Sequence, residues 1–207
     1  MTENIIIKNI TQEHYKEAIE IFTEGFSDDP LHIILFPDYK ERVKVTRCIY
    51  EMMVYDIVPG LNLQLKGLFV NDVLSACLIY TRPDSFDWND SLMEVVMRMR
   101  LKADNPKVNE IGEYAIKVGQ IKPQEKHIYL NELSVKKLYR RKGFAKMLIE
   151  NAEMDVDKFP EVQIIALDTT NTLNVEIYKK IGYNVSIVFH FSGLKCYLMN
   201  KQVQLVK

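Results

Sequence analysis

Residues 136–148 read KKLYRRKGFAKML and carry six cations, Lys136, Lys137, Arg140, Arg141, Lys142 and Lys146, with no acid among them. The second half reads as the start of a helix. The amino end of a helix carries positive partial charge and favours Asp or Glu. Cations crowded there cost energy unless an anion joins them. Gly143 lets the backbone turn tightly and lets a ligand come close. The first N–H groups of the helix lack internal partners, and a phosphate is their usual occupant. The spacing is neither that of the P-loop, whose Lys-Ser/Thr is missing, nor that of a dinucleotide fingerprint, since it holds one glycine. Taken as bare charge, the same run also reads as a solvated lysine-rich loop.

The rest of the chain makes this local charge informative. The 207 residues are 47% hydrophobic and 27% charged with a net charge of −1, and the pI is near 6.4. No whole-protein electrostatic case for nucleic acid exists at that balance. Three cysteines, Cys48, Cys77 and Cys196, lie far apart without a CxxC pair. They point to a reducing compartment and away from a disulfide framework or a zinc site. The amino terminus, MTENIIIKNIT, does not read as a signal peptide. No apolar run approaches the ~20 residues of a membrane span. The expectation is a cytoplasmic protein with no metal, no membrane and no nucleic-acid partner, a monomer or a homodimer.

The elements that must position the basic run follow from periodicity. IIIKNI (5–10) reads as a strand, and Tyr15, Ala18, Ile19, Phe22 and Phe26 mark a helical face with Thr11 as its cap. DDPLHIILFPD (28–38) reads as a loop, with Asp28-Asp29-Pro30 as a turn. Residues 39–58 suit a second helix ended by Pro59-Gly60. Residues 61–83 read as a hairpin turning at Asn71-Asp72. Helical patterns cover 91–102 and 109–122 within a stretch, 84–126, that reads as a helical insertion. Trp88, Asp84, Asp87 and Asp90 fall there and read as parts of a solvated loop. HIYLNELSV (127–135) reads as the strand before the basic run and 144–159 as an amphipathic helix after it. VQIIALDT (162–169) reads as a strand, 173–182 as a helix ended by Gly182, and the remainder as a hairpin around Ser192-Gly193. This order predicts an α/β (α+β) fold with a mixed central sheet flanked by helices. One domain over 1–207 is the simplest organisation, with 127–185 as its core.

Arg140-Arg141-Lys142-Gly143-Phe144-Ala145, placed after a strand and opening a helix, resembles the pyrophosphate loop of the GNAT superfamily of N-acetyltransferases. A second segment, Asn171-Thr-Leu-Asn-Val-Glu-Ile-Tyr178-Lys-Lys-Ile-Gly182-Tyr183, is similar to that family's Asn…Tyr…Gly-Phe stretch. IYLNELSV looks like its central strand, which splays from its neighbour. The opening residues and 28–38 also look like the amino-terminal half of some members, a layout that implies that Asp28-Asp29-Pro30 borders the acceptor site. The resemblance implies acetyl-CoA as co-substrate and direct transfer of an acetyl group to a primary amine, on a small molecule or on a protein or peptide. It implies that the amides of Arg141, Lys142, Gly143, Phe144, Ala145 and Lys146 hold the pyrophosphate, with Arg140 at the first motif position. Leu133, Ser134 and Val135 would pair with the pantetheine arm, and the Leu133 or Val135 amide would polarise the thioester. Asn171 lies beside the cofactor arm in the family, and Tyr178 matches its general acid. Glu132 is the candidate base, acting through a water.

Each residue has a plainer role beside the functional one. Tyr178 can pack its ring on the sheet. Asn171 can cap a helix. Strict strand alternation puts Glu132 and Ser134 on one face and Asn131 and Leu133 on the other, without saying which lines a cleft. Asn174 stands where members often have a small residue. Tyr183 replaces Phe and adds a hydroxyl. Two other functions fit the same residues: a non-catalytic acyl-CoA-binding module of this fold, and a binder of an acidic partner through 136–146.

Overall fold

The computed structural model describes residues 3–85 and 92–203; Trp88, Asp87 and Asp90 lie outside them. Strand β1 (Ile5–Asn9) leads into α1 (Tyr15–Phe26), which buries Ala18, Ile19, Ile21 and Phe22 on one face. Thr11 does not cap α1. A 3-10 turn, Gln12–His14, intervenes, and the Thr11 hydroxyl donates to Glu13 Oε1 at 2.8 Å.

The stretch expected as a loop contains a six-residue helix, α2 (Pro30–Leu35). Asp29 caps it, accepting from the Leu31 N–H at 2.9 Å. Pro30 occupies a first-turn position that needs no N–H donor. Pro37 follows the helix end, so the two prolines that suggested a loop instead bracket one short helix. Asp38 then caps α3 (Tyr39–Met52) through the Glu41 N–H at 2.8 Å. That helix continues as a π-helical stretch, Met53–Ile57, into a short turn, α4 (Val58–Gly60).

Strands β2 (Gln64–Val70) and β3 (Val73–Thr81) form the expected hairpin. Asn71 and Asp72 both take positive φ, 48° and 64°, as a type I′ turn demands. Helices α5 (Leu92–Ala103) and α6 (Val108–Ile121) precede β4 (His127–Val135). Helix α7 (Phe144–Glu153) ends before residue 159, tightening into a 3-10 turn, Met154–Lys158. Asp155 in that turn is tied to the sheet by the Tyr80 hydroxyl at 2.7 Å. Strand β5 (Ile164–Thr169), α8 (Thr172–Lys180) and the hairpin of β6 (Asn184–Phe191) and β7 (Leu194–Gln202) complete the chain.

The strands form one sheet in the order β1-β2-β3-β4-β5-β7-β6. Every pairing is antiparallel except β4 with β5. Leu68, Leu78, Ile128, Leu130, Ile165 and Leu167 point to one face and pack with Phe144, Leu148 and Ile149 of α7. The opposite face is covered by α1 and α3 over β2 and β3, and by α6 over Tyr129, Ala166 and Leu198.

Two irregularities of this sheet make the site. Ile79 of β3 opposes Glu132 while Tyr80 opposes Leu130, so Asn131 has no opposite residue and β4 bulges there. Pairing of β4 with β5 runs only from His127/Ile164 to Leu130/Leu167. Beyond that point β5 continues along β7 and β4 along β3, and the two central strands part into a V.

Candidate active site

The bulge resolves which way β4 faces. Ile128 and Leu130 pack toward α7, and so do Leu133 and Val135. The odd and even positions have exchanged faces across Asn131, so Glu132 shares the face of Tyr129. Glu132 Oε2 accepts from the Tyr50 hydroxyl of α3 at 2.9 Å. The Ser134 hydroxyl donates to the Ile21 carbonyl of α1 at 2.8 Å. The helix can approach that closely because residue 25 is glycine: a Cβ there would stand 2.1 Å from Ser134 Oγ.

Glu132 has company that the sequence did not announce. Asp168, at the carboxyl end of β5, accepts from Tyr129 Oη at 2.5 Å and also from the Tyr114 hydroxyl of α6. Asp29, the cap of α2, accepts from Thr170 Oγ1 at 3.3 Å. Burial pushes the Glu132 carboxyl up to about 8, with the charges of Asp168 and Asp29 adding to the rise and the Tyr50 hydrogen bond opposing it. Burial likewise raises Asp29 to about 6, against the bond from the Leu31 N–H. Residue types gave one usable hint: an acid closing an otherwise apolar strand, as Asp168 does in VQIIALDT. The tyrosines gave none, since Tyr50 and Tyr114 look like helical core positions.

Tyr178 lies on α8. Its ring packs against the α7 side of the core and meets Tyr183 edge-on at 6.0 Å between centroids. Burial raises its phenol, and Asp168, Glu132 and Asp29 raise it further. Among the described residues its hydroxyl has no hydrogen-bond partner. Asn171 caps α8, accepting from the Leu173 N–H at 3.0 Å. Asn174, one turn into α8, is half-buried.

The basic run sits at the open end of the V. Gly143 caps α7 at φ 84° with no side chain to satisfy the first-turn amides, and that turn holds no acid. A Cβ on Gly143 would meet nothing within 4 Å, so space lies before the helix end. Arg141 also takes positive φ, 65°, a conformation that costs a non-glycine residue about 1 kcal/mol and recurs at ligand clamps. Arg140 Nε donates to the Val135 carbonyl at 3.0 Å. Acids hold four of the six cations: Lys136 by Glu17 at 2.5 Å, Lys137 by Asp28 at 3.2 Å, Lys142 by Glu3 at 3.1 Å and Lys146 by Glu150 at 3.5 Å. Exposed pairs like these are worth under about 1 kcal/mol each.

The arrangement sets a helix start with no capping side chain, amid cations, after a strand that leaves its parallel neighbour midway, with Glu132 on that strand. Among the described residues no helix is long and apolar enough to cross a membrane. A search of curated proteins gives no match. The structure is similar to a histone acetyltransferase HPA2 and related acetyltransferase from Corynebacterium glutamicum, with a TM-score of 0.72, 13% identity and all of both chains covered. It is similar to arylalkylamine N-acetyltransferase 2 from Aedes aegypti, with a TM-score of 0.68, 16% identity, and 97% of this chain and 100% of that chain covered. It is also similar to the PaiA N-acetyltransferase from Thermoplasma acidophilum in complex with coenzyme A, with a TM-score of 0.61, 16% identity, and 97% and 99% covered. At such identities the likeness is one of fold. A family model described as the acetyltransferase (GNAT) domain matches residues 88–203. With more than half its length matched, the chain belongs to the GNAT family of acetyltransferases.

Proposed function

We propose that the protein is an acetyl-CoA-dependent N-acetyltransferase that moves the acetyl group directly to a primary amine, both substrates being held together in one domain. The observation that carries the proposal is the parting of β4 from β5 beyond Leu130 and Leu167, with Glu132 on the stretch of β4 that has left β5. Acetyl-CoA supplies an activated acetyl thioester. The residues present fit it: the amides of Arg141–Lys146 and the Arg140 side chain stand at the anion cradle, and the backbone of Leu133, Ser134 and Val135 lies along the parted edge. Asn171 stands at the start of α8.

Each residue then has a defined task. Glu132 takes one proton from the ammonium through a water, the neutral amine then attacks, the C–N bond forms and the C–S bond breaks, and the second nitrogen proton replaces the one that Tyr178 gives to the thiolate. An ordinary Glu at 4.5 is a poor base toward an amine near 10.4. Raising Glu132 to about 8 lowers the uphill part of that transfer by about 5 kcal/mol. The Leu133 or Val135 amide donates to the oxygen that becomes negative. Tyr178 donates its proton to the departing thiolate. Burial first, and then the charges of Asp168, Glu132 and Asp29, raise its phenol, so the proton is present when the thiolate leaves. Holding the two reactants together supplies roughly 7 kcal/mol or more.

The test is calorimetric titration with acetyl-CoA of the wild type and Gly143→Trp, followed by thiol release across a panel of amines. Saturable binding lost in the variant, with thiol released by at least one amine, is the expected outcome. Absence of binding at millimolar acetyl-CoA would overturn the proposal.

A further inference from the structure

Beyond Leu130 the β4 backbone keeps β3 along one edge and has left β5 on the other. A strand paired on one side only is less firmly held. Helix α1 replaces the missing neighbour. Glu17, Ile21 and Glu24 recur at helical spacing on one face of α1, and Asp28 follows just past its end. The Ile21 carbonyl accepts from the Ser134 hydroxyl at 2.8 Å. Glu17 Oε1 accepts from Lys136 Nζ at 2.5 Å. Glu24 Oε2 accepts from the Lys137 backbone N–H at 3.0 Å. Asp28 pairs with Lys137 Nζ at 3.2 Å. These contacts cover residues 134–137, which carry the chain from β4 into the basic run.

Glu24 differs from the other two acids because its partner is backbone. It fixes the path of the chain, not the end of a long side chain. Lys137 opens a 3-10 turn, Lys137–Tyr139, and among the described residues the Lys136 side chain makes no cap for it. The first N–H of such a turn has no internal partner. Glu24 provides the acceptor from 113 residues away in sequence. The Lys136 N–H is held by the Ser75 carbonyl at 3.0 Å. Arg140 Nε ties the end of the turn back to the Val135 carbonyl at 3.0 Å. The passage from strand to cofactor loop is thus anchored at each step. The acids also stand beside six cations, where on charge alone they oppose a polyphosphate.

We infer that Glu24, with Glu17 beside it, is a positioning residue for the cofactor: α1 holds the outgoing end of β4 and the turn after it in the geometry that acetyl-CoA meets. The inference rests on the acetyl-transfer reading and deepens it. The two acids act through Lys136 and Lys137. Ordering this stretch before the ligand arrives lowers the cost of binding.

Charge and position predict opposite signs, and the experiment uses that difference. Acetyl-CoA is titrated calorimetrically into wild type, Glu24→Ala, Glu24→Gln and Glu17→Ala. Removing an acid beside an anion site tightens binding if charge alone matters. The inference requires the reverse: Glu24→Ala weakens acetyl-CoA by about tenfold. Glu24→Gln keeps an acceptor without the charge and stays within about threefold of wild type. Glu17→Ala cuts only the Lys136 contact and weakens binding by about threefold, so the sign is read on two variants. The loss persists at about 0.5 M salt, where the screening length is roughly 4 Å. In the ligand-free protein the Lys137 amide exchanges with solvent about tenfold faster in Glu24→Ala and at the wild-type rate in Glu24→Gln. With an amine that releases thiol, Glu24→Ala raises KM for acetyl-CoA and leaves kcat within about twofold. A role in stability alone would lower the melting temperature and leave the affinity of the folded molecules unchanged. Unchanged or tighter binding by Glu24→Ala overturns the inference and leaves the transfer reading intact. So does a Glu24→Gln variant as weak as Glu24→Ala. Wild type that binds no acetyl-CoA overturns both.

Discussion

The Tyr50 hydroxyl donates to Glu132 Oε2 at 2.9 Å, joining α3 to β4 across 82 residues of chain. The bond stabilises the carboxylate form and opposes the burial that raises Glu132 to about 8. In wild type, kcat/KM is expected to climb with pH toward a limb near 8, since only the carboxylate takes a proton. Tyr50→Phe removes the opposing bond and moves that limb upward. Glu132→Gln abolishes it and lowers kcat/KM by about 100-fold. A limb unchanged in Glu132→Gln would mean that another group is the base.

The same carboxyl sets a stability trend. Its folded value, about 8, lies above its unfolded value of 4.5, so the folded state holds the proton more tightly. The penalty for ionising it is absent below 4.5, grows as pH rises, and is complete above about 8. Glu132→Gln is therefore expected to melt higher than wild type at pH 9 and close to it at pH 4.5. Thermal melts at the two values decide the matter.

Tyr178→Phe keeps the ring that meets Tyr183 and removes only the hydroxyl. Turnover is expected to fall about 100-fold, while acetyl-CoA titrates with an affinity within about threefold of wild type. Equal loss of binding and turnover would return Tyr178 to a packing role.

His32 is buried on α2, its Nδ1 within 2.8 Å of Thr46 Oγ1. Burial and the nearby Arg42 lower it from 6.5 to about 4. Its depressed value means that stability present above 6.5 is lost as pH falls toward 4. A His32→Gln variant should lose less stability between pH 7 and 4.5 than wild type in urea titrations.

Gly25→Ala places a methyl 2.1 Å from Ser134 Oγ. The helix or the strand must move, at a cost of about 1–3 kcal/mol. Combining it with Ser134→Ala removes the nearest atom and should recover part of the loss. Chemical denaturation of the three variants measures both effects.

What the residues disclosed and what they hid follow a physical line. The helix start at Gly143 was legible because a glycine between a strand and an apolar periodic run is a local feature. The hairpin at Asn71-Asp72 was legible because a turn of two positive-φ residues accepts few residue types. Helix α2 was missed because Pro30 and Pro37 read as breakers when each only marks an end. The face of Glu132 was undecidable because one bulged residue, Asn131, reverses the alternation, and nothing in NELSV marks it. Asp168, Asp29, Tyr50, Tyr114 and Tyr129 were missed as a group because their meeting depends on where three helices cross the sheet.

The cysteines carry a practical consequence. Cys77 and Cys196 are fully buried and Cys48 nearly so, and burial raises all three thiols above their ordinary value. Protonated and shielded, they react slowly with disulfide dyes. Coenzyme A, by contrast, leaves as a free thiol in open solution. The folded enzyme thus provides a quiet background for a continuous colorimetric assay, and a sudden rise in dye uptake without added amine would report unfolding instead of catalysis.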